Sequence, residues 1–261
     1  MAAVAARPVR RTGAVGLMEI AGRVALVTGG ARRLGRAFVE ALADRGMRVA
    51  IHYGASANEA TSLANELGAR GHETACFGAD LRDAEAAGAL PDRVVERFGR
   101  LDVLVNSAAV MERVGLAEAT VQHWDDVINL NLRAPFFLAQ HAASHLARAH
   151  GTIVNIADLG GLEPWPSYAV HSISKAGVIM LTKVLATSLA PDVTVNAIAP
   201  GTVLVPDDFD AEKRTFLAAT TPLGRLGTPA DAVNALLFLI ERADFVTGET
   251  LVVDGGRVLR R

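Results

Sequence analysis

Along the chain, short unbroken runs of aliphatic and β-branched residues alternate with longer stretches whose apolar positions recur three and four apart. The first pattern predicts strands buried on both faces and the second amphipathic helices. The predicted strands are Val24–Thr28, Val49–His52, Thr74–Phe77, Val103–Asn106, Thr152–Ile156, Thr194–Ala199 and Thr250–Val253. Between them lie predicted helices over Leu34–Arg45, Asn58–Gly68, Ala84–Phe98, Val121–Ala147, Tyr168–Ala190 and Pro229–Ile240. Pro91 falls inside the third of these and is expected to kink or split it. The alternation runs without repeat, linker or break in composition, which predicts one α/β domain with a parallel sheet covered on both faces. The longest segment with neither pattern, Gly201–Leu223, follows a strand end and holds Pro206, the acidic run Asp207–Asp210 and Pro222. A loop of that length is expected to be a lid or binding loop.

Composition narrows the function classes. With 261 residues and 51% hydrophobic content the chain can bury a large core. A net charge of −2 and no basic run longer than two residues argue against a nucleic-acid partner. Apolar runs such as Val24–Val27 and Ala235–Ile240 fall well short of the roughly 20 residues of a membrane span, so no membrane partner is expected. A lone cysteine, Cys76, cannot form an internal disulfide and fits a reducing, cytoplasmic compartment. The first residues carry Arg7, Arg10 and Arg11 with no acid before Glu19, a composition that mimics a transit peptide. Met18 opens a natural chain start, so residues 1–18 are expected to be a disordered extension ahead of a domain over 19–261. The His141/His145 pair lacks a carboxylate at ligand spacing, and no metal is expected.

The first candidate chemistry is the stretch "VALVTGGARRLGRAF", a strand, a glycine-rich turn and a helix start in succession. Such a turn lets backbone approach a pyrophosphate at a helix N-terminus. After the second strand no acid appears until Glu59; His52, Tyr53 and Ser56 stand there instead. With Arg32 and Arg33 nearby, a 2′-phosphate would meet donors and positive charge, which favours NADP(H) over NAD(H).

Seven motifs in order, "TGGARRLG", "ADL" (79–81), "VNSAA" (105–109), "NLNLRAPF" (129–136), "VNAIAPGTV" (195–203), "PLGRLGTPAD" (222–231) and "FVTGETLVVDGG" (245–256), resemble the short-chain dehydrogenase/reductase family over residues 20–257. The resemblance implies a doubly wound Rossmann-like sheet of seven parallel strands in the order 3-2-1-4-5-6-7. It implies that Gly29, Arg32, Arg33, Leu34 and Gly35 wrap the cofactor phosphates. Asp80 and Leu81 would meet the adenine, Asn106, Ser107 and Ala108 the ribose side, and Pro200, Gly201 and Thr202 the nicotinamide end. Asn131 would hold the active-site helix and a water, and Lys175 would orient the nicotinamide ribose. A homo-oligomer, tetramer or dimer, with the Val121–Ala147 and Tyr168–Ala190 helices at its interfaces is implied on the same ground. Arg33, the "HY…S" stretch and Asp158 resemble the pteridine-reductase branch, which prefers NADPH. Met111 and Ala55 stand where that branch often carries an aromatic and an arginine.

The family's proton donor is a tyrosine four residues before the lysine, with serine or aspartate thirteen residues earlier. Here those positions hold His171, Lys175 and Asp158, in intact register. Three readings stay open. His171 acts as the acid in the NADPH-dependent reduction of a carbonyl or pterin-like C=N compound; or Tyr168 or a water supplies the proton; or the chain binds NADP(H) as a non-catalytic sensor or scaffold. A free histidine titrates near ~6.5 and a free tyrosine near ~10, so reduction through a histidine should run faster below neutrality. Met111, Trp165 and Tyr168 are the expected substrate-pocket residues.

Overall fold

The computed structural model describes residues 19–205 and 209–260. The expected N-terminal extension and the Pro206–Asp208 part of the expected lid lie outside the described residues. In chain order the elements are β1 (Val24–Val27), α1 (Arg33–Asp44), β2 (Arg48–Tyr53), α2 (Ala57–Ala69), β3 (Thr74–Gly78), α3 (Ala84–Phe98), β4 (Val103–Asn106), α4 (Val121–Ile128) and α5 (Ala134–Ala149). They continue with β5 (Thr152–Ile156), α6 (Ala169–Leu189), β6 (Thr194–Pro200), α7 (Ala211–Ala219), α8 (Pro229–Glu241) and β7 (Thr250–Val253).

The strands pair in parallel in the order β3-β2-β1-β4-β5-β6-β7. All four residues of β1 are buried, and their alternation divides the core. Ala25 and Val27 face a layer with Phe38, Leu42, Leu63, Leu236 and Ile240 of α1, α2 and α8. Val24 and Leu26 face the opposite layer, with Leu90, Val94, Leu138, Leu146, Leu181 and Leu185 of α3, α5 and α6. Because β1 pairs with β2 on one side and β4 on the other, its C-terminal end lies where the connections diverge, and a crevice opens there.

Four expectations need correction. Pro91 does not split α3, which runs unbroken from an Asp83 cap accepting from the Glu85 and Ala86 amides to Gly99. A single proline removes one backbone bond, and this one is buried in the helix face. The predicted Val121–Ala147 helix is interrupted by a π-helical turn over Asn129–Arg133. Pro135 has no N–H to donate to the carbonyl of Asn131, which releases the α-helical ladder at that point. Tyr168 precedes α6 in a 3₁₀ turn, Pro166–Tyr168, instead of lying within the helix. The Gly201–Leu223 segment contains α7, started by Asp210 accepting from the Lys213 amide. Residues 166–189 are long and apolar enough to cross a membrane by length and composition, yet half of that window is buried within the fold.

Candidate active site

The glycine-rich turn ends β1 and starts α1. Gly35 must be glycine, because a Cβ there would lie 2.2 Å from the Gly29 carbonyl oxygen; the helix therefore starts directly on the turn. The α1 N-terminus has no side-chain cap and no acid in its first turn, so its amides and dipole are open to an anion. Arg32 and Arg33 are exposed at this end and Leu34 is half-buried. Arg32 lies 3.7 Å from Glu59. Arg33 has φ +53°, a left-handed conformation uncommon outside glycine.

His52 is corrected. Its side chain was expected to offer a donor to the adenosine phosphate, but it is only 2% exposed and both ring nitrogens are taken. Nδ1 accepts from the Gly29 amide at 3.1 Å, and Nε2–H donates to the Ala79 carbonyl at 3.1 Å. That pattern requires the neutral imidazole, and burial lowers the His52 pKa to about 4. Tyr53 is half-buried against Gly78, and Ser56 starts α2 without capping it. Asp80 is exposed in a turn where it accepts from the Arg82 amide, and Leu81 is buried.

Across the crevice, Ser107 and Ala108 are held by Thr28, whose Oγ1 accepts from both their amides at 2.9 and 3.0 Å. Asn106 ends β4, and its buried side chain donates to Asn155 Oδ1 at 2.8 Å. Pro200 ends β6, Gly201 N–H donates to the Val253 carbonyl, and Thr202 Oγ1 accepts from Arg257 at 3.3 Å. A cavity of ≈ 420 Å³ opens beside this segment, lined by Thr202, Val203, Thr221, Leu223, Arg225 and Asp254 among others.

The polar centre forms where α6, the π-helical turn and the loops after β4 and β5 converge. His171 is 3% exposed. Its Nδ1–H donates to the Val110 carbonyl at 3.2 Å, and Nε2 has no hydrogen-bond partner among the described residues. Nε2 lies 3.8 Å from Asp158 Oδ2, while Asp158 Oδ1 accepts from the Gly160 amide at 2.7 Å. Trp165 packs nearly parallel to the imidazole, ring centres 6.5 Å apart, and Tyr168 packs edge-on against Trp165. Met111, next to Val110, is half-exposed.

Asn131, set in the π-helical turn, grips both backbone groups of Val110. Its Oδ1 accepts from the amide and its Nδ2 donates to the carbonyl, each at 2.9 Å. The carbonyl that fixes the His171 tautomer is thus itself fixed. Lys175, one turn after His171, is buried and donates to the Ile156 carbonyl at 2.7 Å. Burial lowers its pKa to about 8, against an opposing pull from Asp158. Gly161 lets the post-β5 turn sit on α6, since a Cβ there would lie 2.7 Å from the Lys175 backbone. The sequence reading missed Thr28 and Val110. Thr28 was signalled only by a hydroxyl residue ending the first strand, and Val110, which acts through its backbone, by nothing at all.

His145 meets Asp92 at 2.6 Å, His141 packs over Gly88, and no metal-binding cluster occurs among the described residues.

Residues 29–257 match the family described as enoyl-(acyl carrier protein) reductase. The 3-oxoacyl-(acyl-carrier-protein) reductase FabG of Staphylococcus aureus (strain Mu50) is 37% identical over 237 residues, 89% of this chain and 96% of that protein. The (2S)-{(R)-hydroxy(phenyl)methyl}succinyl-CoA dehydrogenase subunit BbsD of Thauera aromatica is 38% identical over 251 residues, 93% and 99% of the two chains. The crystal structure of a chain described as a short-chain alcohol dehydrogenase from Sinorhizobium meliloti 1021 superposes with a TM-score of 0.87 at 30% identity, covering 93% and 99%. With the sheet order, the crevice and the α6 centre in place, the chain belongs to the short-chain dehydrogenase/reductase family and is an oxidoreductase.

Proposed function

We propose that this chain is an NADP(H)-dependent reductase of a carbonyl group in which His171 delivers the proton. The observation that carries the reading is the bare Nε2 of His171, facing Asp158 at 3.8 Å on a ring whose other nitrogen is committed to Val110. A proton added at Nε2 would be shared with the carboxylate, and a substrate oxygen arriving there would receive it. NADPH, when bound, supplies the hydride. The uncapped α1 N-terminus fits its pyrophosphate, and exposed Arg32 and Arg33 with half-buried Ser56 fit a 2′-phosphate. The Thr28-anchored Ser107–Ala108 backbone borders its ribose side, Asp80 and Leu81 its adenine, and Pro200–Thr202 its nicotinamide end. Lys175 holds a positive charge below about pH 8 beside the same centre.

Two substrate classes follow. The names of the relatives point to acyl thioesters bearing a keto or hydroxy group. Arg33 and Asp158 favour a pterin-like C=N compound instead. A cytoplasmic homo-oligomer completes the reading, supported by the exposed apolar residues Val121, Trp124, Ile173, Met180 and Val184 of α4 and α6.

The test is NADPH oxidation with 3-ketoacyl thioesters, diketones, quinones and dihydropterins at about pH 5.5 and 7.5, which bracket the ~6.5 of a free histidine. Turnover should be faster at the lower pH, and His171→Ala should lose at least about 100-fold. Retained turnover in His171→Ala with loss in Tyr168→Phe would move the proton to Tyr168. A wild type silent on every substrate, beside an active His171→Tyr, would leave a cofactor-binding protein without chemistry.

A further inference from the structure

The cofactor crevice has two walls on its adenosine side, the glycine-rich turn after β1 and the Ala79–Leu81 loop after β3. One buried side chain joins them. The His52 imidazole accepts from the Gly29 amide and donates to the Ala79 carbonyl, both at 3.1 Å. The flanking backbone repeats the tie: the His52 carbonyl accepts from the Gly30 amide, and the Tyr53 carbonyl accepts from the Ala79 amide. At 2% exposure, with both nitrogens used, the ring has no atom left for a ligand. Its two bonds run in opposite senses, and a neutral imidazole accepts at one ring nitrogen while donating from the other.

We propose that His52 is a positioning residue that sets the spacing between the glycine-rich turn and the Ala79–Leu81 loop, and so governs how tightly the adenosine half of the dinucleotide is held without touching it. This rests on the NADP(H)-dependent reading above. It separates two roles that the sequence places side by side: Arg32, Arg33 and Ser56 distinguish a 2′-phosphate from a hydroxyl, while His52 holds the pocket for either.

Binding of NADPH and of NADH, titrated by fluorescence without substrate, tests it in the wild type and in His52→Ala, His52→Asn and His52→Gln. Asparagine places an acceptor near the Nδ1 position and glutamine a donor near the Nε2 position. His52→Ala should weaken both cofactors by the same factor, about tenfold for two lost neutral hydrogen bonds. The NADPH/NADH affinity ratio should stay at the wild-type value, and asparagine or glutamine should recover part of the loss. Selective loss of NADPH would overturn the proposal, since the imidazole would then contact the phosphate. Unchanged affinities in folded variants, or failure of all three to fold, would reduce His52 to a core residue. A wild type that binds neither cofactor would instead overturn the NADP(H)-dependent reading itself.

Discussion

Arg33 combines two demands in one residue. Its backbone has φ +53°, which costs a non-glycine residue about 1–2 kcal/mol, and its guanidinium stands exposed at an uncapped helix start. Arg33→Gly relieves the backbone while adding glycine's unfolded-state entropy, about 0.5–1 kcal/mol, so thermal stability should change by no more than about 1 kcal/mol. The side chain is lost altogether, and the NADPH/NADH affinity ratio should fall about tenfold or more, the worth of a charge-assisted hydrogen bond. An unchanged ratio in a cofactor titration would remove Arg33 from phosphate recognition. The arginine was legible in the sequence because charge next to a missing acid is a local feature. The opposite fate of His52 was not: a donor-bearing residue after a strand reads alike whether its ring points into the crevice or into the core, and only its two partners decide.

At the scale of elements, the π-helical turn over 129–133 and α6 act as a pair. Asn131 reaches Val110 from the first, His171 from the second, and their side chains meet on one carbonyl, which Asn131 also holds through its neighbouring amide. Asn131 Nδ2 further lies 3.1 Å from Ser174 Oγ on α6. Asn131→Ala should therefore lower turnover by roughly tenfold or more through misorientation of the imidazole. Binding of NADPH to the glycine-rich turn should be retained, and steady-state kinetics beside a binding titration separate the two. Equal losses of binding and turnover would mean that Asn131 supports the whole crevice. The hydrophobic pattern of Val121–Ala147 concealed this turn, since Leu130 and Leu132 carry apolar positions straight through it. Pro135 was its visible sign, four residues after the carbonyl it leaves without a donor. The π-helical turn could be anticipated from that proline alone, whereas the Val110 clamp could not, because backbone partners leave no mark in residue identity.

For the molecule as a whole, the buried titratable groups set a pH dependence of stability. His52 is neutral in the fold, its pKa lowered to about 4 by burial, against ~6.5 for a free histidine. Between those values the unfolded chain takes up a proton that the folded chain refuses, so stability rises with pH through this window. It is fully present above about pH 6.5 and is lost toward pH 4, by up to on the order of 3 kcal/mol. Lys175 acts with the same sign higher up, between about pH 8 and the ordinary lysine value of 10.5. Urea midpoints at pH 7 and about 4.5 should differ in the wild type and differ less in His52→Asn. An equal acid loss in both would assign it to other groups. The seven strands were legible as short aliphatic and β-branched runs, and their order followed from the family resemblance rather than from the runs themselves. Helix α7 was not, since its short, exposed sequence "AEKRTFLAA" carries little apolar periodicity. The surplus residue in the π-helical turn has a genetic consequence as well. A π-helical turn takes up one extra residue locally, so the helix on either side keeps its register. Deleting one of residues 129–133 would therefore leave Leu138, Ala142 and Leu146 of α5 in the core while removing the bulge that presents Asn131. The fold would survive such a deletion, and the grip on Val110 would not.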